Sequence, residues 1–238
     1  MGKKTQKNDQ LRELREKQQQ EALAKKKKEQ RLMLIISACI VAVILISVVI
    51  AIVVTNPGKK NDETPEELPL SYVSMTVKYT DDNDQEHTGD IILELDPNAA
   101  PISVANFTKL VGDGFYTGLN FHRVIEDFMI QGGAPKDTDT TKYQTIKGEF
   151  STNGVNNPIK HERGVISMAR SDDPNSASTQ FFIVHETSPH LDGKYAAFGK
   201  VLSGMDLVDG IATMSTNASD KPIKDAIIVS AKLIEKPN

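Results

Sequence analysis

The 238-residue chain contains no tryptophan and a single cysteine, Cys39. One thiol cannot make an intramolecular disulfide, so a disulfide-stapled scaffold is excluded and any folded part must be held by its core. His87, His122, His161 and His185 show no metal-ligand spacing, and Asp137 and Asp139 in a Thr-rich loop are too few for a calcium site. No metal or cofactor is expected. Clustered basic groups are also missing from most of the chain. Residues 1–31 hold eleven of the 28 Lys/Arg and five of the 32 Asp/Glu, which leaves a net charge of −10 on the remainder. Phosphate contacts need clustered cations, so nucleic-acid binding by that remainder is not expected.

Charge is absent altogether from Leu32–Val54, a run of 23 residues whose only clearly polar side chains are Ser37 and Ser47. As a helix it spans roughly 34 Å, enough to cross a hydrocarbon core of about 30 Å. In lipid the backbone must satisfy its own hydrogen bonds, which requires the helix despite the many β-branched residues. Lys25–Lys28 and Arg31 precede the run, whereas Lys59 and Lys60 beyond it are followed by Asp62, Glu63, Glu66 and Glu67. The positive-inside bias places residues 1–31 in the cytoplasm as a basic tail and the large C-terminal part outside the cell membrane. Ile36-Ser37-Ala38-Cys39 loosely resembles a bacterial lipobox, but a short apolar stretch precedes Cys39 and a long one follows it. A cleaved signal peptide is the other alternative, without a clear small-x-small site. An uncleaved single-pass signal anchor fits best.

Residues 55–70 (TNPGKKNDETPEELPL) combine three prolines with many charges and read as a flexible linker. Residues 71–238 suit one domain with a proper core. Tyr72–Tyr79 alternates with period two, meets the turn Asp81–Asp84, and is followed by Asp90–Leu95, which reads as a hairpin. Val104, Phe107, Leu110 and Val111 recur at helical spacing behind Pro101. Strand-like runs follow at 121–125, 128–131, 165–169, 180–185 and 196–201, then a helix over 205–214 and a last strand over 226–235. Many short strands with two helices indicate a mainly β fold, a closed antiparallel barrel capped by helices.

Two blocks carry a resemblance. The first is Phe121-His122-Arg123-Val124-Ile125-Glu126-Asp127-Phe128-Met129-Ile130-Gln131-Gly132-Gly133. The second runs from Gly164-Val165-Ile166-Ser167-Met168-Ala169-Arg170 through Asp173–Ile183 to Leu191-Asp192-Gly193-Lys194-Tyr195-Ala196-Ala197-Phe198-Gly199. In order, spacing and residue type they are similar to the signatures of the cyclophilin-type peptidyl-prolyl cis–trans isomerases. The resemblance covers essentially all of residues 71–238 and implies an eight-stranded barrel, a monomer, and a foldase for exported or surface proteins.

Such an enzyme needs no nucleophile, metal or cofactor. It lowers a rotational barrier of about 18–20 kcal/mol that arises from amide resonance. A donor beside the imide nitrogen weakens C–N double-bond character, and complementarity to the twisted state gives the acceleration. The resemblance assigns that donor to Arg123 and the apolar proline pocket to Phe128, Met129, Phe182 and Leu191. Strand alternation sends Phe181 and Phe182 to opposite faces, leaving Phe181 for the core. Gln131 and Gln180 are implied to bind substrate backbone and position Arg123, and Ala169 to contact the residue before proline.

Four departures from the pattern stand out. His190 occupies the place where some members carry a groove tryptophan, and Tyr195 stands where those members have histidine, so binding of the cyclosporin drug class is expected to weaken. Arg170 replaces an asparagine found in many members. Ala134–Lys142 lacks the glycines usual in that loop. A second function class stays open at this point: a module of the same fold that binds proline-containing segments, with only incidental catalysis. Retention of Arg123 beside the whole pocket favours the enzyme.

Overall fold

The computed structural model describes residues 67–136 and 143–237. The expected tail, membrane helix and most of the linker lie outside them, as do Cys39 and residues 137–142. Among the described residues no helix is long and apolar enough to cross a membrane.

Strand β1 (Ser71–Thr80) pairs antiparallel with β2 (Glu86–Leu95) in unbroken register from Ser71↔Leu95 to Thr80↔Glu86. The turn between them is set by Asp81, whose Oδ1 accepts from the backbone N–H of Asn83 and of Gln85, each at 2.9 Å. Such local bonding is what Asp offers a tight turn. Just before β1, the Leu68 N–H donates to Asn98 Oδ1 at 2.7 Å and its carbonyl accepts from Asn98 Nδ2 at 3.0 Å.

After β2 come helix α1 (Pro101–Gly112), β3 (Leu119–Asn120), β4 (Arg123–Ile125), β5 (Met129–Gly132), β6 (Val165–Met168), β7 (Phe181–Val184), β8 (Ala197–Ser203), helix α2 (Met205–Ala212) and β9 (Ala226–Ile234). The strands form one sheet in the order β3-β9-β1-β2-β8-β6-β7-β5-β4, antiparallel at every pairing. The expected eight-stranded closed barrel is therefore corrected to a curled sheet of nine strands among the described residues. The run expected as one strand over 121–125 is shortened to Arg123–Ile125, and no ladder joins β3 to β4. Those two strands end the sheet order, yet only Phe121 and His122 separate them in the chain. Phe121 N–H donates to the Ala226 carbonyl at the start of β9, and His122 N–H donates to the Gln131 carbonyl on β5. The sheet curls until its two ends meet at this dipeptide.

The main core lies inside the curl. Phe107 of α1 sits at its centre, with ring centroids 5.0 Å from Tyr116, 5.4 Å from Phe181 and 5.2 Å from Phe198. Val208 and Ile211 of α2 reach the same cluster.

The start of α1 is capped from a distance. Ala100 at the N-cap supplies no side-chain acceptor, and Pro101 opens the first turn. The gap is filled by Glu149, only 2% exposed, whose carboxylate accepts from Ile102 N–H at 2.9 Å and from Ser103 N–H and Oγ–H at 2.7 Å. An anion at a helix N-terminus meets both the unpaired N–H groups and the positive end of the dipole. Glu149→Ala should lower unfolding free energy by about 1–3 kcal/mol, and Glu149→Gln should recover part of the loss. Denaturant melts of the three proteins measure this, and coincident curves would show that the cap contributes nothing.

Candidate active site

Period-two alternation divides β4 to β8 between two environments. Val124, Ile130, Phe181, Ile183, Ile166, Met168 and Phe198 point into the main core. Their neighbours Ile125, Met129, Phe182, Val184, Val165 and Ala197 form a second apolar cluster with Phe128, Leu191, Ala169 and Tyr195. Register then lines up one cross-strand row. Arg123 pairs with Gln131, Gln131 with Phe182, Phe182 with Ser167, and Ser167 with Ala197. Side chains in such a row share a face.

Above the second cluster lies a groove of about 450 Å³, lined by Arg123, Phe128, Met129, Gln131, Ala169, Arg170, Phe182, His190, Leu191, Lys194 and Tyr195. Nine of the ten site residues expected from sequence therefore meet around one cavity. The tenth, Gln180, touches it indirectly, through Gln131 Nε2–H donating to Gln180 Oε1 at 2.8 Å. Gln180 enters β7 beside a close backbone approach. Gly133 has φ +81°, and a Cβ there would lie 2.5 Å from the Thr179 carbonyl oxygen. Only glycine fits both demands.

Arg123 has a partner that the sequence reading did not name. Its Nε–H donates to Asp220 Oδ2 at 3.3 Å, across 97 residues of chain. Asp220 itself has φ +59°, and its carbonyl accepts from Val124 N–H at 2.8 Å. Both the backbone and the side chain of Asp220 thus tie down β4. No short-range pattern announces that pairing.

The apolar floor is buried, with Met129 at 2%, Phe182 at 5% and Leu191 at 6% exposure. The far wall comes from the short helical turn Pro189–Leu191 and the segment after it. His190 tilts over Phe128 at 5.4 Å between ring centroids, and Tyr195 meets Phe182 edge-on at 5.8 Å. Arg170 and Lys194 also line the groove, and the sequence reading gave neither a site role.

Beneath the floor, His161 stacks on Phe182 at 6.0 Å. Its Nδ1 is 3.1 Å from Asp192 Oδ1 and its Nε2 is 3.0 Å from Ser167 Oγ. The carboxylate fixes the tautomer: Nδ1–H donates to Asp192, and Nε2 accepts from the Ser167 hydroxyl. A Ser-His-Asp chain invites a nucleophilic reading, but Ser167 is 0% and His161 1% exposed, so no substrate carbonyl can reach the serine. The chain is a support for Phe182. Burial lowers the His161 pKa and outweighs the opposing pull of Asp192. Burial by itself would raise Asp192, yet hydrogen bonds from the His161 backbone and ring hold its carboxyl below the usual range. His122, next to Arg123, is also lowered by burial.

Comparison with known proteins gives a consistent result. Residues 76–233 match the family model described as cyclophilin type peptidyl-prolyl cis-trans isomerase/CLD. Peptidyl-prolyl cis-trans isomerase B of Bacillus subtilis is 50% identical over 123 residues, covering 51% of this chain and 82% of that protein. Peptidyl-prolyl cis-trans isomerase A of Dickeya dadantii is 41% identical over 157 residues, covering 62% of this chain and 81% of that protein. Among solved structures, a cyclophilin type peptidyl-prolyl cis-trans isomerase of Cryptosporidium parvum superposes with a TM-score of 0.56 at 29% identity, covering 69% of this chain and 99% of that one. The same protein has been crystallised in the presence of the dipeptide Ala-Pro.

The histidine shifts fix a pH dependence. The unfolded chain takes up protons near the ordinary histidine value of about 6.5, before the folded one does. The stability associated with neutral His161 and His122 is therefore complete above that pH and is lost as pH falls through their depressed folded values. Urea unfolding should give a lower stability at pH 5 than at pH 8, with part of the difference removed in His161→Gln. Equal stabilities of the wild type at the two pH values would contradict the assignment.

Proposed function

Since the chain belongs to the cyclophilin-type peptidyl-prolyl cis–trans isomerase family, and is by that membership a cofactor-independent enzyme, we propose that Arg123 is its catalytic donor and that it acts as a membrane-anchored, monomeric foldase on exported or surface proteins. One observation carries the site assignment: Arg123 lines the same groove as the apolar floor of Phe128, Met129, Phe182 and Leu191. The proline ring sits on that floor. With Nε committed to Asp220, the terminal guanidinium nitrogens are left to donate toward the imide nitrogen and the substrate carbonyl. Gln131 and Gln180 bind the substrate backbone, Ala169 meets the residue before proline, and His190 and Tyr195 close the far side.

The acceleration comes from favouring the twisted imide over both planar isomers. Water is displaced from the apolar floor, so a single donor acts at low local dielectric and is worth more than in bulk solvent. Uncatalysed X–Pro rotation takes tens to hundreds of seconds, slow enough to limit folding of a newly exported chain.

The cellular part of the reading rests on the uncharged run Leu32–Val54 and the basic residues before it. In this arrangement residues 1–31 stay in the cytoplasm, 55–70 act as the linker, and 71–238 face outward.

Two measurements test the proposal. In an assay of cis–trans exchange on a proline peptide, Arg123→Ala should lower kcat/KM by about a hundredfold or more, while Arg123→Lys recovers only part. An unchanged rate in Arg123→Ala would remove the role given to that residue. In cells, the full chain should fractionate with membranes, and external protease should digest residues 71–238 while sparing the tail. Recovery in the soluble cytosolic fraction would overturn the anchoring.

A further inference from the structure

The described lining of the groove carries positive charge and no carboxylate. Arg123, Arg170 and Lys194 line it, together with His190, and among the described residues no aspartate or glutamate does. Arg123 has its partner in Asp220. Arg170 differs. Its Nε–H donates to the Lys194 carbonyl at 3.0 Å, and its Nη1 donates to the carbonyls of Ser171 at 2.7 Å and Asp172 at 3.2 Å. All three acceptors are neutral carbonyls, and among the described residues no carboxylate forms an ion pair with the guanidinium. Its carbon lies 4.6 Å from the Tyr195 ring centroid and 5.2 Å from that of Phe150, which restricts it further. Lys194 is exposed and has no ion-pair partner among the described residues. The nearby Asp192 instead faces Lys160 and His161.

Outside its first 31 residues the chain is strongly acidic, so two cations without an ion pair among the described residues stand out beside the apolar floor. At physiological salt the Debye length is about 8 Å. A ligand charge in the groove therefore responds to Arg170 and Lys194 far more than to the distant net negative charge. A carboxylate between them would complete the hydrogen bonding of a pre-oriented guanidinium at little cost in entropy.

We propose that Arg170 and Lys194 make this isomerase selective for X–Pro bonds in which X is acidic. The inference rests on the reading above that the residue preceding proline lies against Ala169, the neighbour of Arg170. An acidic side chain at X then extends along the wall that Arg170, Lys194 and Tyr195 form. A basic side chain in the same place meets two like charges.

The test uses full-length protein in detergent and peptides Ala-Xaa-Pro-Phe with Xaa Glu, Gln or Lys. At about 4 Å one unit-charge contact in water is worth roughly a fivefold change. The Glu peptide should therefore exceed the Lys peptide in kcat/KM by about tenfold at low salt, with Gln between them. In 1 M salt, where the Debye length falls to about 3 Å, the gap should narrow. Lys194→Glu, at an exposed position, should narrow or invert the ratio, and Arg170→Ser should narrow it. Equal rates on the Glu and Lys peptides, with the Gln peptide still turned over, would overturn the selectivity and leave the isomerase site standing. Failure to catalyse any of the three would overturn the site reading and this inference together. A wild-type preference that neither variant alters would show that Arg170 and Lys194 do not set it.

Discussion

Side-chain alternation along a few very short strands is the constraint on which the groove depends. Strands β4 to β7 contain three or four residues each. Each must still commit one face to the main core and the other to the groove floor. A slip of one residue in any pairing would exchange the two sets, burying Arg123 or Gln131 and exposing a phenylalanine. The register holds because the inward set is almost entirely large and apolar, and Phe181 alone meets Phe107, Tyr116 and Phe121 edge-on. The aromatic core thus fixes the outward row Arg123, Gln131 and Phe182 as a by-product of its own packing.

How far the sequence foretold this depends on the range of each interaction. The hairpin β1–β2, both helices and the opposite facing of Phe181 and Phe182 follow from period and turn chemistry, which are local. Nine of the eleven cavity residues were legible through the two quoted blocks and the departures noted beside them. Glu149 was not, because a helix cap supplied from 46 residues away leaves no mark near Ala100. Asp220 was missed for the same reason, since its pairing with Arg123 exists only once β4 has been brought beside the loop before β9. The ninth strand was missed because Leu119–Asn120 is too short for any alternation to be visible. Arg170 was noticed as a departure from a pattern, yet its stacking on Tyr195 and its bond to the Lys194 carbonyl needed the fold.

The buried Ser167-His161-Asp192 chain shows how little residue identity says about chemistry without accessibility. The same three side chains in an open cleft would suggest acyl transfer. Here they fill polar needs under an apolar floor, and the cost of burying them is offset because each side chain has a partner. Their product is stiffness. Phe182 is stacked from below by His161 and met from the side by Tyr195, which restrains its ring where the groove floor is formed.

Strand order also bears on how the protein is made. β9, the last strand of the chain, pairs with β1 on one side and β3 on the other. Until Ala226–Ile234 has left the ribosome, β1 has one bare edge and the two ends of the sheet have nothing to meet across. Chains that emerge N-terminus first therefore pass through a long interval as an open ribbon with an adhesive border, the kind of edge that recruits other strands. A premature stop just before residue 226 would keep every groove-lining residue and still leave that border unsealed, so quality control would see it as an unfinished sheet.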